Sequence, residues 1–238
     1  MLEMTEAAQK RCFRPGECWV VIPARNEERR IDQVVRSVRA TGARVVVVDD
    51  GSSDATAEEA RGAGAVVIRH AVNRGQGAAL ETGFTWLRTF SPRCTVTFDA
   101  DGQHDPADLE RLAGPVLLGE ADVVLGSRFL GEARGISRHR RWMLRAAVLG
   151  TRVMNGMSVT DTHNGIRAFS RVSLDRISLR QDGMAHASEI LDLVAATGLR
   201  WIEVPVTIRY TEETRRKGQS TAAAIRILFD YLIGRWIR

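Results

Sequence analysis

The sequence predicts an α/β protein with a mainly parallel central sheet flanked by helices. Short apolar runs rich in β-branched residues alternate with segments of helical periodicity from residue 18 onward, the order expected of βα units. The residues that stand out chemically fall directly after successive apolar runs, where open parallel sheets gather their ligand-binding loops. The bulk composition agrees: 238 residues with 44% hydrophobic and 26% charged side chains suit one largish folded domain and exclude a disordered or fibrous chain.

The elements follow in order. "CWVVIP" (18–23) reads as a buried strand, and "NEERRIDQVVRSVRAT" (26–41) as a helix with Ile31, Val34, Val35 and Val38 on one face. "RVVVVDD" (44–50) is the second strand. "SSDATAEEARGAG" (52–64) is a helix with Ser53 or Asp54 as N-cap and Gly62 or Gly64 as its stop. "AVVIRH" (65–70) is a third strand, "GQGAALETGFTWLRTF" (75–90) a helix and "CTVTFDAD" (94–101) a fourth strand. "PADLERLAGPVLLG" (106–119) is a helix with Pro106 in its first turn, where a missing N–H costs nothing. "ADVVLGSR" (121–128) is a fifth strand. No internal repeat or low-complexity linker interrupts residues 18 to about 210, which read as one unit.

Five loops then converge on one edge: Pro23 to Glu27, Asp49 to Ser53, Asn73 to Gly77, Asp99 to Asp105, and Gly126 to Arg128. In an extended strand Asp99 and Asp101 project from the same face. With the amide oxygen of Gln103 they form an all-oxygen site suited to Mg2+ or Mn2+, cations usually held by one or two carboxylates plus substrate phosphates. A divalent cation bridging a diphosphate is therefore the expected occupant. Asp105 is set aside as an Asx-turn cap for the helix that follows. An acid after a second strand also suggests the ribose contact of a dinucleotide fold. That reading demands a G-x-G-x-x-G turn after the first strand, and "IPARNEE" stands there instead.

The formal net charge is +5, with arginines concentrated at 134–145 and 215–217. Such a balance admits nucleic acid, anionic lipid or phosphorylated substrates. Single-stranded nucleic acid is disfavoured, because the basic residues lack a series of interleaved aromatics, Trp142 standing alone within 134–145. Cys12, Cys18 and Cys94 have neither an even count nor metal spacing and read as reduced thiols. The polar N-terminus lacks the apolar centre of a signal peptide, and no apolar run approaches the roughly 18 residues that span a bilayer. The cytoplasm is the expected compartment. At the other end, "STAAAIRILFDYLIGRWIR" (220–238) carries an apolar stripe of Ile225, Leu228, Leu232 and Ile233 flanked by Arg226, Arg235, Arg238 and Trp236. Such a basic amphipathic helix suits a membrane interface, and packing against a core is the equal alternative.

"VVIPARNEE", "VVDDGSSDAT", "NRGQGAAL", "FDADGQHDP", "LGSRF", "DTHNGIRAFSR" and "IEVPVTIRYTEETRRKGQS" follow, in order and spacing, the motifs of family 2 glycosyltransferases. Over about residues 18–221 the chain resembles their dolichol- or polyprenyl-phosphate mannosyl- and glucosyltransferases. The resemblance implies a GT-A fold with a Rossmann-like nucleotide-binding half, and inverting transfer of a hexose from GDP-mannose or UDP-glucose to a polyprenyl or dolichyl phosphate. It divides the chain into an N-terminal tail (1–17), a catalytic domain (18–210), and a mobile basic loop with an amphipathic helix (211–238).

Residue by residue, the resemblance implies that Pro23, Ala24, Arg25 and Glu27 line the nucleotide pocket, with Asp50 as a base or ribose contact. Asp99, Ala100, Asp101 and Gln103 match the metal-binding "D-x-D-x-Q". Arg128 matches the arginine near the donor diphosphate, and Arg215 that of the mobile loop. Asp161, Asn164 and Gly165 match the segment beside sugar and acceptor, and Glu189 an acid on the following helix. Arg25 stands where the family usually has tyrosine, Thr221 where it commonly has lysine, and Asn164 where several relatives have serine or glycine.

Displacement at the anomeric carbon then asks the metal and Arg128 to stabilise the leaving diphosphate. Asp161 is the candidate base if the acceptor is a hydroxyl. Arg140 and Arg141 are the candidate contacts to an acceptor phosphate. The expected partners are a nucleotide-sugar donor, the polyprenyl phosphate and the cytoplasmic face of a membrane, reached through the tail or a separate membrane-anchor protein, with no nucleic acid. A hydroxyl acceptor on a polysaccharide or soluble molecule, or a non-catalytic nucleotide-sugar-binding module, are the alternatives.

Overall fold

The computed structural model describes residues 14, 16–134, 148, 156–162 and 164–210. Strands β1 (Cys18–Ala24), β2 (Arg44–Asp49), β3 (Val66–Arg69), β4 (Cys94–Thr97), β5 (Val123–Arg134), β6 (Arg167–Ser170) and β7 (Trp201–Arg209) form one seven-stranded sheet in the order β3-β2-β1-β4-β6-β5-β7. The strands β3, β2, β1 and β4 pair in parallel. β6 inserts antiparallel between β4 and β5, and β7 lies parallel to β5 at the edge with a register shift between Ser127 and Glu132.

The valine run of β2 shows why these segments become strands. Val45, Val46, Val47 and Val48 are all buried, and alternate members enter different cores. Val45 and Val47 pack with residues of α1 (Ile31–Ala40), α2 (Thr56–Gly62) and α4 (Asp108–Leu117). Val46 and Val48 pack with residues of α3 (Gln76–Arg88), α5 (Arg171–Arg176) and α6 (His186–Thr197). A sheet covered on both faces needs continuous apolar runs rather than alternation. On α1, Ile31, Val34, Val35 and Val38 form the buried face, as their spacing predicts.

Several boundaries differ from the sequence expectation, each for a local reason. α1 begins at Ile31 rather than Asn26, because residues 26–28 spend their backbone N–H groups on side chains of the next loop. α2 begins at Thr56, and Asp54 accepts from the Thr56 N–H at 3.0 Å. α4 starts at Asp108, two residues after Pro106, and Asp105 accepts from the Ala107 N–H at 3.1 Å in the expected Asx-turn. β5 runs on to Arg134, past the expected end at 128. Most consequential, β4 ends at Thr97 instead of 101. Asp99 and Asp101 therefore sit on a turn, closed by Gly102 at φ +74°, and not on alternating positions of a strand. β6 and β7 lie beyond the part of the sequence whose pattern resolves into elements.

Candidate active site

At the C-terminal ends of β1 and β2 two loops are laced together. The Asn26 N–H donates to Ser52 Oγ at 2.9 Å, and Asn26 Oδ1 accepts from the Ser53 N–H at 2.9 Å. The Glu27 N–H donates to Thr56 Oγ1 at 2.8 Å, while the Glu27 carboxylate pairs with Arg30 at 3.0 Å. Asn26 adopts φ +53°, a left-handed conformation that asparagine tolerates better than most residues. Around this lacing Ala24 is buried, Pro23 half-buried and Arg25 exposed.

Asp50, expected at the base or ribose, is buried, and its carboxylate organises the neighbouring loop. It accepts from the Arg74 N–H at 2.8 Å and the Gly75 N–H at 2.7 Å, and pairs with His70 Nδ1 at 2.8 Å. Gly51, at φ +68°, admits this approach, because a Cβ there would lie 2.7 Å from the Asn73 backbone nitrogen.

The acidic turn lies at the centre of the sheet edge. Asp99 Oδ1 accepts from Gln76 Nε2 at 3.0 Å, and Oδ2 pairs with His104 Nε2 at 2.8 Å. Gly165 comes so close that a Cβ would sit 2.5 Å from Asp99 Oδ2. Asp101 accepts from the Gln103 backbone N–H at 3.0 Å and from its side-chain amide. Gln103 thus orients Asp101 in addition to bringing an amide oxygen to the turn. The Arg209 N–H donates to the Gln103 carbonyl at 2.9 Å, which ties the turn to the end of β7. Ala100, between the carboxylates, is buried.

Burial raises the pKa of Asp99, but its hydrogen bond with His104 and the electrostatic influence of His104, His186 and Arg128 outweigh it and hold the carboxyl below its ordinary value. Asp101 is pushed the other way, by burial and then by the Asp99 charge. Two carboxylates that resist joint ionisation, with only amides and an imidazole as direct partners among the described residues, are a donor set that a hard divalent cation fits. Among the described residues no group of three or more His, Cys, Asp or Glu could hold a metal, so any cation here needs phosphate or water oxygens as well.

Beside this turn, Arg128 and Asp161 form one unit. Arg128 Nε donates to Asp161 Oδ2 at 2.6 Å, and the Arg128 N–H reaches the same oxygen at 3.1 Å. Arg128 Nη1 donates to the Tyr210 hydroxyl at 2.6 Å. Burial alone would lower the Arg128 pKa, and Asp161 and Tyr210 more than offset it. Glu203 on β7 accepts from the Thr160 N–H at 2.8 Å and the Asp161 N–H at 3.2 Å, fixing the segment that carries the acid.

The following segment is held by Arg167, which is buried and donates to three carbonyls: Asn164 at 3.1 Å, Thr162 at 3.1 Å and Ala187 at 3.0 Å. Burial lowers its pKa to about 10, against the pull of Asp161 and Asp99. Asn164 is buried, its Oδ1 accepts from the Ile166 N–H at 3.3 Å, and its Nδ2 has no hydrogen-bond partner among the described residues. Glu189 on α6 is also buried and accepts from the Arg180 and Gln181 N–H groups, at 3.1 and 2.8 Å.

The structure thus brings Asp99, Asp101, Gln103, Arg128, Asp161, Asn164 and Gly165 into one neighbourhood. Arg140, Arg141, Arg215 and Thr221 lie outside the described residues, as does the C-terminal amphipathic stretch. Sequence reasoning missed Gln76, His104, Arg167, Glu203 and Tyr210 as participants. Gln76, His104 and Tyr210 stand inside conspicuous motifs, but their partners 23, 5 and 82 positions away are not legible there.

Among solved structures, glucosyl-3-phosphoglycerate synthase of Mycobacterium tuberculosis, crystallised with Mn2+ and UDP-glucose, superposes with a TM-score of 0.70 at 23% identity, covering 99% of this chain and 83% of that one. That likeness establishes the GT-A fold. Closer in sequence are an uncharacterised protein of Methanocaldococcus jannaschii, 37% identical with 91% of each chain covered, and the UDP-N-acetylglucosamine–dolichyl-phosphate N-acetylglucosaminyltransferase of Methanococcus voltae, 30% identical over 90% of this chain and 94% of that one. The polyprenol monophosphomannose synthase of Mycolicibacterium smegmatis is 32% identical over 81% of this chain and 77% of its own. The profile of Glycosyl transferase family 2 matches residues 19–178, which span the laced loops, the acidic turn and the Arg128–Asp161 unit, and the chain belongs to that family of glycosyltransferases.

Proposed function

We propose that this glycosyltransferase moves a hexose from a nucleotide sugar to a polyprenyl or dolichyl phosphate in one inverting, metal-dependent step. The observation that carries the choice of acceptor is the state of Asp161. Its carboxylate accepts twice from the buried Arg128, so the one acid that sequence reasoning offers as a base is already engaged as a counter-ion. A hydroxyl nucleophile needs a base to take its proton. A lipid monophosphate, with a second pKa near 6, is largely a dianion at pH 7 and needs none. Its oxygen forms the new bond to the anomeric carbon while the bond to the nucleoside diphosphate breaks, which inverts that centre.

Asp99 and Asp101, steadied by Gln103, are the residues that would hold Mg2+ or Mn2+, which supplies charge neutralisation at the departing diphosphate. Ala24, Arg25 and Glu27 with the laced loops form the nucleotide side, and Asp50 shapes it by fixing Arg74 and Gly75. Arg128 sets positive charge beside the reacting centre. Asn164 carries a buried amide donor to the acceptor side. Two of the relatives named above carry dolichyl phosphate or polyprenol monophosphomannose in their names, which supports the same acceptor class here. No helix among the described residues is long and apolar enough to cross a membrane. The reading places the protein peripherally at the cytoplasmic face, through the arginines at 134–145 and the tail from 220, or through a separate anchor protein.

The test offers labelled GDP-mannose, UDP-glucose and UDP-N-acetylglucosamine separately, with polyprenyl phosphate and Mn2+ or Mg2+. Label from one donor moves into organic solvent as an acid-labile lipid phosphate. Label that instead enters a water-soluble or polymeric hydroxyl product overturns the acceptor assignment.

A further inference from the structure

We propose that Gln76 is a positioning residue for the metal site: its neutral side-chain amide fixes the orientation of Asp99 without cancelling the charge that a divalent cation requires. The inference rests on reading Asp99 and Asp101 as cation ligands, and its own observations are the grip on Asp99 and the way Gln76 is held.

Asp99 is confined on three sides. Gln76 Nε2 donates to Oδ1 at 3.0 Å, His104 Nε2 pairs with Oδ2 at 2.8 Å, and Gly165 leaves no room for so much as a methyl group. The two contacts occupy one lone pair on each oxygen, and an ionised carboxylate offers about four acceptor sites, so capacity for a cation remains. Gln76 itself starts from an over-determined point. It is the first residue of α3, and Gly75 before it adopts φ +104°, with its N–H bound to Asp50 Oδ2 at 2.7 Å. The Gly77 and Ala78 N–H groups after it donate to the Asp182 carbonyl at 2.8 and 3.2 Å. A Cβ on Gly75 would collide with the Asp182 carbonyl, and one on Gly77 with the Gln181 carbonyl. The backbone therefore cannot drift, and the Asp50 loop on the nucleotide side is coupled through Gln76 to Asp99.

The chemistry of the amide matters as much as its position. A lysine there would pair with Asp99 and repel a cation, whereas an apolar chain of equal length would leave Oδ1 unheld. Removing a side chain that orients a metal ligand typically weakens metal binding about 10-fold or more.

The experiment titrates Mn2+ into the full chain with saturating UDP or GDP, reading free Mn2+ by electron paramagnetic resonance. It compares wild type, Gln76→Met, Gln76→Lys and Asp101→Asn, with thermal unfolding of each in chelator. Gln76→Met should unfold near the wild-type temperature yet bind Mn2+ about 10-fold more weakly. Gln76→Lys should bind more weakly still, in a way that added salt partly relieves. Wild-type affinity in both folded variants overturns the proposal while leaving the metal site intact, provided Asp101→Asn loses binding. Failure of the wild type to bind Mn2+ with either nucleotide overturns the metal assignment, and the role of Gln76 falls with it.

Discussion

Two polar clusters stand side by side at the strand ends, one buried and one half-buried, and they are built on opposite principles. The Arg128–Asp161 unit joins unlike charges, with a guanidinium donating to a carboxylate at 2.6 Å and to Tyr210 at 2.6 Å. The Asp99–Asp101 turn joins like charges, with only amides and an imidazole as direct hydrogen-bond partners among the described residues. The first satisfies its own charge within the fold. The second holds one carboxyl below its ordinary value and the other above it, an arrangement that a cation would relieve. On the proposed function, the first cluster shapes the site and the second is the one that would hold a cation.

The largest expected effect comes from the like-charge cluster. Asp101→Asn should lower transfer by about 10²–10³-fold, the scale for removing one group that stabilises developing charge, and abolish the response to added Mn2+. Steady-state rates across a metal titration check it, and a variant that keeps both rate and metal response breaks the contrast.

The unlike pair should instead register in stability. Arg128→Met removes the guanidinium paired with the buried Asp161 and should cost about 3–5 kcal/mol by urea unfolding, whereas Arg128→Met combined with Asp161→Leu should recover much of that loss. A double variant as unstable as the single one would show that the Asp161 carboxylate is not the source of the loss. Arg167→Lys, which cannot span three carbonyls at once, should cost about 1–3 kcal/mol in the same assay.

The smallest effect is also the sharpest in sign. Asp101 has its folded pKa above its ordinary value, so the folded state holds the proton more tightly, and metal-free stability falls as pH rises through that window. In chelator, Asp101→Asn should therefore melt above wild type at neutral pH, with the advantage vanishing as pH drops below that ordinary value. Asp99 is lowered instead, and Asp99→Asn should melt below wild type at neutral pH, the gap closing as pH falls through the depressed pKa. Melting temperatures of both variants against pH check the pair, and parallel curves would contradict the opposite shifts.

How much of this was legible depended on whether the cause was local. The buried runs of β1 and β2 and the apolar face of α1 follow from composition and period, which burial on both sheet faces dictates. The acidic turn was legible as a cluster but not as a turn, because Gly102 and the Gln103-to-Asp101 hydrogen bonds end the strand and period-2 reasoning does not register them. Asp161 was legible as an acid. Its engagement was not, since Arg128 lies 33 positions away in sequence. Arg167 looked like one arginine among many until its reach to Ala187, 20 residues on, placed it between the segment carrying Thr162 and Asn164 and α6.

The most direct test of the account offers the enzyme a polyprenyl phosphate and the matching polyprenol, each with its nucleotide sugar, in Mn2+ and again in chelator. Released nucleoside diphosphate is the readout. Release that requires both the lipid phosphate and the metal is the predicted result. Equal release with the alcohol, or release undiminished in chelator, would contradict it.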